Sequence, residues 1–306
     1  MCVLGFGGCV PQPPAIEPSN GGVTASVAPV APDVDAAVNA WNTRAQAVDT
    51  LYGRGIFQLN WIDDDGGRHA DQGDIDLWYE RPDRIAIRCS KFGDTISLFG
   101  SDGRMQWFYD ATEDVFYEGE IVPGQMLLIA DQPFSPSLLL DVLGLRPVPA
   151  GRWTIVSPSA QVEPASSLRD MYRANPPVDH SSGRTDPVMW WWFEEDGVDW
   201  PVSRTYELFD DRILEVEDDP ARRRTVRIPG QPVTAWPRLA GSITMRMLAA
   251  DGLEELDSSQ MAFDELTVDV DGEPMDRVFD LKQLLEALQP SEVRQLRQND
   301  ASGASM

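Results

Sequence analysis

The sequence predicts a mainly β protein with a few helices, built around an antiparallel sheet or barrel. Between Gly55 and Gly119, apolar and polar residues alternate, and turn-forming residues interrupt the alternation roughly every 8–12 residues. A second set of such segments runs from about Val188 to Val270. Alternation of this kind is typical of a sheet that has one buried face and one solvated face.

The first half of the chain predicts a helix followed by a meander. Apolar residues at three- and four-residue intervals predict an amphipathic helix from Val34 to Leu51, with Asp33 as its N-terminal cap. Acidic residues with glycine at 63–67 and the sequence Arg81-Pro82-Asp83 predict turns. The strands of this meander are predicted at 57–61, 75–79, 85–89, 95–99, 104–109 and 115–117.

The second half predicts a short helix, an insertion and a second meander. Ser135-Pro136 is a typical start for the very apolar helix predicted up to Leu143. Residues 157–187 carry little pattern, which predicts a long loop or insertion. A last helix is predicted from Asp280, within a single domain over residues 33–290, and the tail 291–306 is predicted to be disordered. The strands of the second meander are predicted at 188–193, 203–209, 212–216, 225–228, 242–248 and 262–270.

The chain is strongly acidic. Its 306 residues include 50 Asp and Glu against 25 Lys and Arg, which gives a formal net charge of −25. Such a field repels the phosphates of nucleic acids and the anionic head groups of lipids. We therefore expect no nucleic-acid partner.

The N-terminal residues resemble a bacterial lipoprotein signal. A short apolar run ends in small residues directly before Cys9, as in the cleavage box of that class. The resemblance implies that residues 1–8 are the remnant of a signal peptide that starts further upstream, and that Cys9 is lipidated. Residues 9–32, rich in Pro, Ala, Ser and Gly, then form a flexible tether. The alternative is an ordinary apolar start followed by a disordered tail.

One segment of the first meander resembles a known family. Residues 73–85 read Gly-Asp-Ile-Asp-Leu-Trp-Tyr-Glu-Arg-Pro-Asp-Arg-Ile. This order of a glycine, a strand, Arg-Pro and a hydrophobic strand resembles the LolA/LolB-like lipoprotein carriers, as do the next strands and the preceding helix. The resemblance is good over residues 34–119 and faint over 203–270. The insertion at 157–187 and the tryptophan-rich strand that follows it depart from the family pattern.

The resemblance implies an incomplete antiparallel β-barrel, a half-barrel, covered by helices. In that family the concave apolar face holds lipoprotein acyl chains, and such a face needs a lid, a lipid or both. The implied function is non-enzymatic binding of a hydrophobic ligand or lipoprotein acyl chain, gated by the helices near 34–51 and 136–144. The candidate ligand-binding residues are Phe57, Leu59, Trp61, Leu77, Ile85, Ile87, Leu98, Trp107 and Trp190.

The same resemblance, together with Cys9, implies a location in the cell envelope. The protein is expected to be a monomer, anchored by its lipid at the outer membrane and facing the periplasm. Its partners would be the hydrophobic ligand and the membrane. No cofactor and no metal are expected, because neither His69 nor His180 belongs to a ligand set with metal-site spacing, and the acidic turns do not match a calcium-binding loop.

The run 189–193, Met-Trp-Trp-Trp-Phe, leaves a second function open. In a strand, Trp190 and Trp192 face one side and Trp191 faces the other, so both faces are apolar. These aromatics are core residues, part of a cavity wall, or a platform for sugar rings. The last interpretation goes with an interaction module that binds cell-wall polysaccharide or another envelope protein. Buried or cavity-lining tryptophans favour the carrier, and exposed ones favour the module.

Two further features carry weaker predictions. Cys89 lies on the same strand face as Ile85 and Ile87, and is predicted to be a small core residue and not a reactive thiol. The run 222–224 consists of three arginines in an otherwise acidic chain. It is interpreted either as a solvated hairpin loop or as a contact for a phosphate or an acidic partner.

Overall fold

The structure is a computed structural model. It describes residues 32–62, 65–121, 127–129, 132–149, 151–156, 172–176, 188–193, 201, 203–208, 212–249, 254–268 and 273–296. Everything described belongs to one compact unit, which spans residues 31–306. The predicted lipidation site Cys9, the tether before residue 32, His180 and most of the insertion at 157–187 lie outside the described residues.

Most of the described chain forms β-strands. In chain order they are β1 (Thr50–Ile62), β2 (Arg68–Glu80), β3 (Arg84–Lys91), β4 (Asp94–Ser101), β5 (Met105–Asp110), β6 (Val115–Glu120), β7 (Leu127–Ile129), β8 (Gln132–Phe134), β9 (Thr154–Val156), β10 (Tyr172–Asn175), β11 (Val188–Phe193), β12 (Ser203–Glu207), β13 (Ile213–Asp218), β14 (Arg224–Thr225), β15 (Arg238–Leu239), β16 (Ser242–Leu248), β17 (Glu255–Val268) and β18 (Glu292–Gln295).

Within the described residues, 14 of these strands form one open sheet. Their order is β18-β6-β5-β4-β3-β2-β1-β17-β16-β13-β12-β11-β10-β9, and neighbours are antiparallel except for the parallel pair β18–β6. The long strands β1 and β17 pair with each other at the centre and join the two meanders. β7 with β8, and β14 with β15, form separate two-stranded sheets.

The helices begin and end at residues suited to those positions. In α1 (Val34–Ala47), the Asp33 carboxylate accepts a hydrogen bond from the Ala36 amide at 3.0 Å, as predicted. In α2 (Pro136–Leu143), the Ser135 hydroxyl accepts one from the Leu138 amide. Gly144, at φ 70°, ends α2 in the left-handed conformation that glycine adopts at no steric cost. The described helices closest to the C-terminus are α3 (Glu273–Phe279) and α4 (Leu281–Leu288).

The sheet has two covered faces, which we name after the helices that pack on them. On the α2 face, directly paired residues such as Leu77 and Ile87 lie in one cluster with the leucines of α2. Segment 226–240 packs on the same face, through Val226, Ile228 and Leu239. Burial of this apolar surface is the main stabilising contribution to the fold.

Helix α1 covers another part of the α2 face. Its Trp41 packs against Trp191 of β11, with ring centroids 5.1 Å apart, and Trp153 packs against the same ring at 4.7 Å. Trp191 pairs with Arg204, which pairs with Val216 of the α2-face cluster. Because directly paired residues share a face, α1 and α2 lie on the same side of the sheet.

Helices α3 and α4 pack on the opposite side, the α4 face. Met275, Val278 and Phe279 are buried there against side chains of β3 to β6. Trp107 lies over Gly100 of the neighbouring strand, where an added Cβ would come within 2.7 Å of the indole ring. Only glycine leaves room for the ring at this position.

Several elements differ from the sequence prediction. Helix α1 ends at Ala47 and β1 begins at Thr50, within the helix predicted up to Leu51. Strand β10 lies inside the predicted loop or insertion at 157–187, and helix α3 and the short strands β7, β8, β9 and β15 were not predicted. Strand β17 begins at Glu255, several residues before the predicted strand. In the tail that was predicted to be disordered from residue 291, β18 pairs with β6. Its backbone hydrogen bonds, and not apolar side chains, hold this strand, so the sequence pattern contains no trace of it.

Candidate functional site

The structure brings one group of the predicted ligand-binding residues together on the α2 face. Pairing places Leu77 beside Ile87 and Ile85 beside Tyr79, all within the main apolar cluster. The remaining members of the group follow one another at alternate positions of β1. The predicted residues on this face are Phe57, Leu59, Trp61, Leu77, Ile85 and Ile87.

Burial of this group decreases along β1. Ile85 is fully buried, Phe57 is half-buried against the cluster, and Leu59 is 40% exposed. At the end of the strand, half-buried Trp61 stacks on His69 of β2, with ring centroids 5.2 Å apart. The α2 face is therefore closed under the helices and open at the far end of β1.

The other predicted ligand-binding residues do not lie on this face. Leu98 and Trp107 belong to the cluster under α3 and α4. Trp190 also lies on the α4 face, because neighbouring residues of a strand point to opposite sides and Trp191 points toward α1. The prediction of one shared cavity wall is corrected for these three residues. The reason is that helices cover both faces, so an apolar residue in β4, β5 or β11 does not indicate which face it occupies.

The tryptophans of β11 are mostly buried. Trp191 is 0% and Trp192 4% exposed, and the Trp192 indole N–H donates a 2.6 Å hydrogen bond to the Thr205 hydroxyl. Trp190 is half-buried, with the Arg173 guanidinium 5.8 Å from its ring centroid. Neither Trp191 nor Trp192 is available as a stacking platform for sugars.

A second apolar surface lies on the α4 face. A cleft of about 780 Å³ separates α4 from the sheet, and Leu98 is one of its lining residues. The leucines that α4 turns toward the sheet are only half-buried. At its rim, Arg88 pairs with Asp76 at 2.6 Å. The apolar lining residues include Trp78, Leu98, Val278, Leu284 and Leu288.

A buried ion pair holds α2 against the sheet. Arg204 and Asp218 are each 1% exposed, and their side chains meet at 2.6 Å. The same guanidinium donates hydrogen bonds to the carbonyl oxygens of Asp141 and Val142 at 2.9 and 3.0 Å. Arg204 therefore ties the C-terminal turn of α2 to β12, where the free carbonyls of a helix end need donors.

A smaller, basic pocket of about 330 Å³ lies between α1 and segment 234–238. It is lined by Arg44 of α1, Arg223 before β14, and Arg238 of β15, and we call it the arginine pocket. Burial lowers the pKa of Arg44 well below its ordinary value, and burial also lowers the pKa of Arg223. Asp218 opposes this shift, because its carboxylate favours the charged form of both guanidinium groups.

Burial keeps two titratable groups of the described residues protonated. Burial raises the pKa of the Cys89 thiol to about 11, so the thiol is protonated at neutral pH, in agreement with its predicted role in the core. Burial likewise raises the pKa of Tyr79 to about 12. In the described part of the chain, no group of three or more His, Cys, Asp or Glu residues is placed to hold a metal ion. No helix among these residues is both long enough and apolar enough to cross a membrane.

The sequence interpretation missed most of the arginine pocket. It singled out the run 222–224, which contains Arg223, but not Arg44 or Arg238. One indication was present for Arg44, which falls on the apolar stripe of α1 between Trp41 and Val48. A charge on the buried side of an amphipathic helix needs a polar environment, and in the sequence that environment is spread over distant positions.

Comparison with known proteins gives structural similarities at low sequence identity. No protein-family model and no curated protein matches the chain. A DUF1329 family protein from Desulfovibrio piger is 14% identical, with a TM-score of 0.47 over 83% of this chain and 100% of its own. A LolA superfamily protein from Nitrosomonas europaea is 12% identical, with a TM-score of 0.43 over 81% of this chain and 98% of its own. An outer membrane lipoprotein-sorting protein domain from Vibrio parahaemolyticus is 11% identical, with a TM-score of 0.43 over 82% and 98%.

Proposed function

We propose that this protein binds a hydrophobic ligand or a lipoprotein acyl chain on the α2 face and catalyses no reaction. In this proposal it is a half-barrel envelope lipoprotein, lipidated at Cys9 and anchored at the outer membrane. One observation carries the binding proposal: a single apolar face continues from the buried Ile85 and Leu77 to the exposed Leu59. The far end of a bound ligand chain would lie at this open end.

The dimensions and energetics of the face suit an acyl chain. A strand rises about 3.3 Å per residue, so Leu51 and Leu59 are roughly 26 Å apart along β1. One acyl chain spans about half of the roughly 30 Å hydrocarbon core of a bilayer. Burial contributes about 0.8 kcal/mol per methylene, so a chain of ten or more methylenes would bind with substantial affinity even after ordering costs.

Helix α2 is the proposed gate. Its leucines, Leu138 to Leu140 and Leu143, occupy the apolar face that a longer ligand would cover. The helix has only eight residues and is held at its C-terminal turn by Arg204. Rotation of this short element would exchange leucine contacts for ligand contacts, so that the net cost of opening is small when ligand is present.

The experiment compares two substitutions of equally exposed residues on the same strand. Leu59 is 40% exposed on the α2 face, and Ile56 is 41% exposed on the opposite face. Binding of the uncharged fluorescent probe N-phenyl-1-naphthylamine is measured for the full chain and for its Leu59→Glu and Ile56→Glu variants. We expect Leu59→Glu to weaken binding at least about tenfold and Ile56→Glu to change it less than about twofold.

A third variant tests the other apolar surface. Leu284→Glu places a charge in the cleft of the α4 face and leaves the α2 face unchanged. Loss of probe binding in this variant, with normal binding in Leu59→Glu, would move the ligand to the α4 face and overturn the proposed site. Urea unfolding of all variants establishes that each is folded.

The interaction module remains the second candidate function, and the described tryptophans favour it less. Burial of Trp191 and Trp192 supports the carrier. The feature that supports a module is Phe92, which is 96% exposed at the turn between β3 and β4. Weaker binding of Phe92→Ser to purified cell-wall polysaccharide, with unchanged uptake of the hydrophobic probe, would favour the module.

A further inference from the structure

We infer that the arginine pocket binds an anionic head group, a phosphate or a carboxylate, of the amphiphile whose chain lies on the α2 face. This inference rests on the proposed function and specifies its ligand class. Three guanidinium groups from separate parts of the chain, Arg44, Arg223 and Arg238, converge on one pocket. Guanidinium groups are the side chains best suited to bidentate contact with phosphate or carboxylate.

The lining of the pocket is suited to an anion. Thr43 and Thr234 add hydroxyl groups to the three arginines, and the described lining residues include no carboxylate. The volume of about 330 Å³ lies at the lower end of the range for small-molecule sites, which suits a head group.

Charged side chains near the pocket shift the pKa values of its arginines. The Asp218 carboxylate favours the charged form of both Arg44 and Arg223. Arg204, which forms the buried ion pair with Asp218, disfavours the charged form of the same two arginines. Asp219 acts more weakly on Arg223, and this carboxylate also lies 3.6 Å from Arg222. A bound anion would offset the burial of positive charge at this site, which is costly in a low-dielectric interior.

The location agrees with the net charge of the chain. A formal charge of −25 repels anions at long range, but at physiological ionic strength charges more than about 8 Å apart in solvent are largely screened. Arg44 is buried and Arg223 is half-buried, so their charges are screened less than those of the surface carboxylates. The pocket is therefore a local exception in an acidic surface, which would select the head group of the bound ligand.

The pocket borders on the apolar face. Ala47 of α1 and Trp236 line the pocket, and both also pack against the main cluster of the α2 face. When α2 opens as proposed above, a ligand with its anionic group at the arginines would extend its chain under α1 and α2. Leu59 lies at the opposite end of the same face, so head group and chain would occupy opposite ends of one site.

The experiment uses two lysolipids that share one acyl chain. Affinities of the full chain for lysophosphatidylglycerol, which is anionic, and lysophosphatidylcholine, which is zwitterionic, are measured by displacement of N-phenyl-1-naphthylamine. The test variant is Arg223→Gln/Arg238→Gln. The control is Arg222→Gln, which removes a neighbouring exposed arginine that does not line the pocket.

We expect the unchanged chain to bind the anionic lysolipid about tenfold more tightly than the zwitterionic one. The double variant should lose this preference and keep its affinity for the uncharged probe, and Arg222→Gln should retain both. Inorganic phosphate, tested by titration calorimetry, distinguishes the sources of the anion. If millimolar phosphate displaces the anionic lysolipid but not the zwitterionic one, phosphate and the lipid head group bind in the same pocket.

Two results overturn the inference, and a third separates it from the proposed function. Affinities for both lysolipids that stay unchanged in the double variant would show that the pocket takes no head group, since both head groups carry a phosphodiester that the arginines could bind. Tight phosphate binding that the double variant loses, while both lysolipid affinities stay unchanged, would assign the pocket to a free anion and overturn the inference. The proposed function itself would be contradicted if neither the unchanged chain nor any variant bound the uncharged probe. Phosphate binding at the arginines would still be measurable in that case.

Discussion

Replacing Arg204 by methionine should destabilise the fold through one buried carboxylate. The guanidinium is 1% exposed, pairs with Asp218 at 2.6 Å and donates to two carbonyl oxygens of α2. Removing one partner of a buried ion pair typically costs about 3–5 kcal/mol, because the other charge stays buried. Arg44 and Arg223 also attract the Asp218 carboxylate electrostatically and partly compensate its charge. The cost of losing the ion pair is therefore expected at the lower end of this range. The two lost carbonyl contacts add about 1 kcal/mol each, for an expected total of about 5 kcal/mol.

Urea unfolding of the full chain, followed by tryptophan fluorescence, measures this loss. The matched control is Arg294→Met, because Arg294 pairs with Glu292 at 2.7 Å on side chains that are 46% and 52% exposed, where the cost is lower. The double variant Arg204→Met/Asp218→Leu removes both members of the buried pair and should recover the part of the loss that comes from the unpaired Asp218 carboxylate. An Arg204→Met variant that unfolds within about 0.5 kcal/mol of the unchanged chain would refute this account of the buried pair.

Three further predictions follow from individual positions. Ile87→Glu should abolish uptake of the hydrophobic probe without blocking secretion, because Ile87 lies under the ligand path; normal uptake by a folded variant would contradict the assignment. Gly100→Ala should lower the free energy of unfolding by about 1–3 kcal/mol, since the new methyl group meets the buried ring of Trp107 at 2.7 Å; unfolding at the same urea concentration would argue against that packing. Cys89 is the third position, and its alkylation rate is measured in a variant whose two N-terminal cysteines are replaced by serine. The rate should keep rising with pH toward the raised pKa of about 11, because burial keeps the thiol protonated. A rate that levels off near pH 9 would contradict this burial.

The regular part of the fold could be predicted from the sequence because its pattern is local. Alternation in the first meander placed every strand from β1 to β6, and the capping residues Asp33 and Ser135 marked two helix starts. These signals need only neighbouring residues. The third helix and β18 depend on contacts with distant strands, and a single sequence carries no comparable pattern for them.

The candidate site could be predicted only in part, for two physical reasons. In β4 and β5, Leu98 and Phe99, like Trp107 and Phe108, are adjacent apolar residues on opposite faces, and the sequence does not indicate which helix covers which face. The arginine pocket joins residues separated by almost two hundred positions. Its members became recognisable as a group only when α1 was placed over segment 234–238.

Native mass spectrometry of the full chain, produced in a bacterial envelope and purified without detergent, tests the central claim most directly. A bound hydrophobic ligand should appear as an added lipid mass that is lost on solvent extraction and restored by an anionic lysolipid. A bare protein mass that stays bare after incubation with lipids would contradict binding on the α2 face.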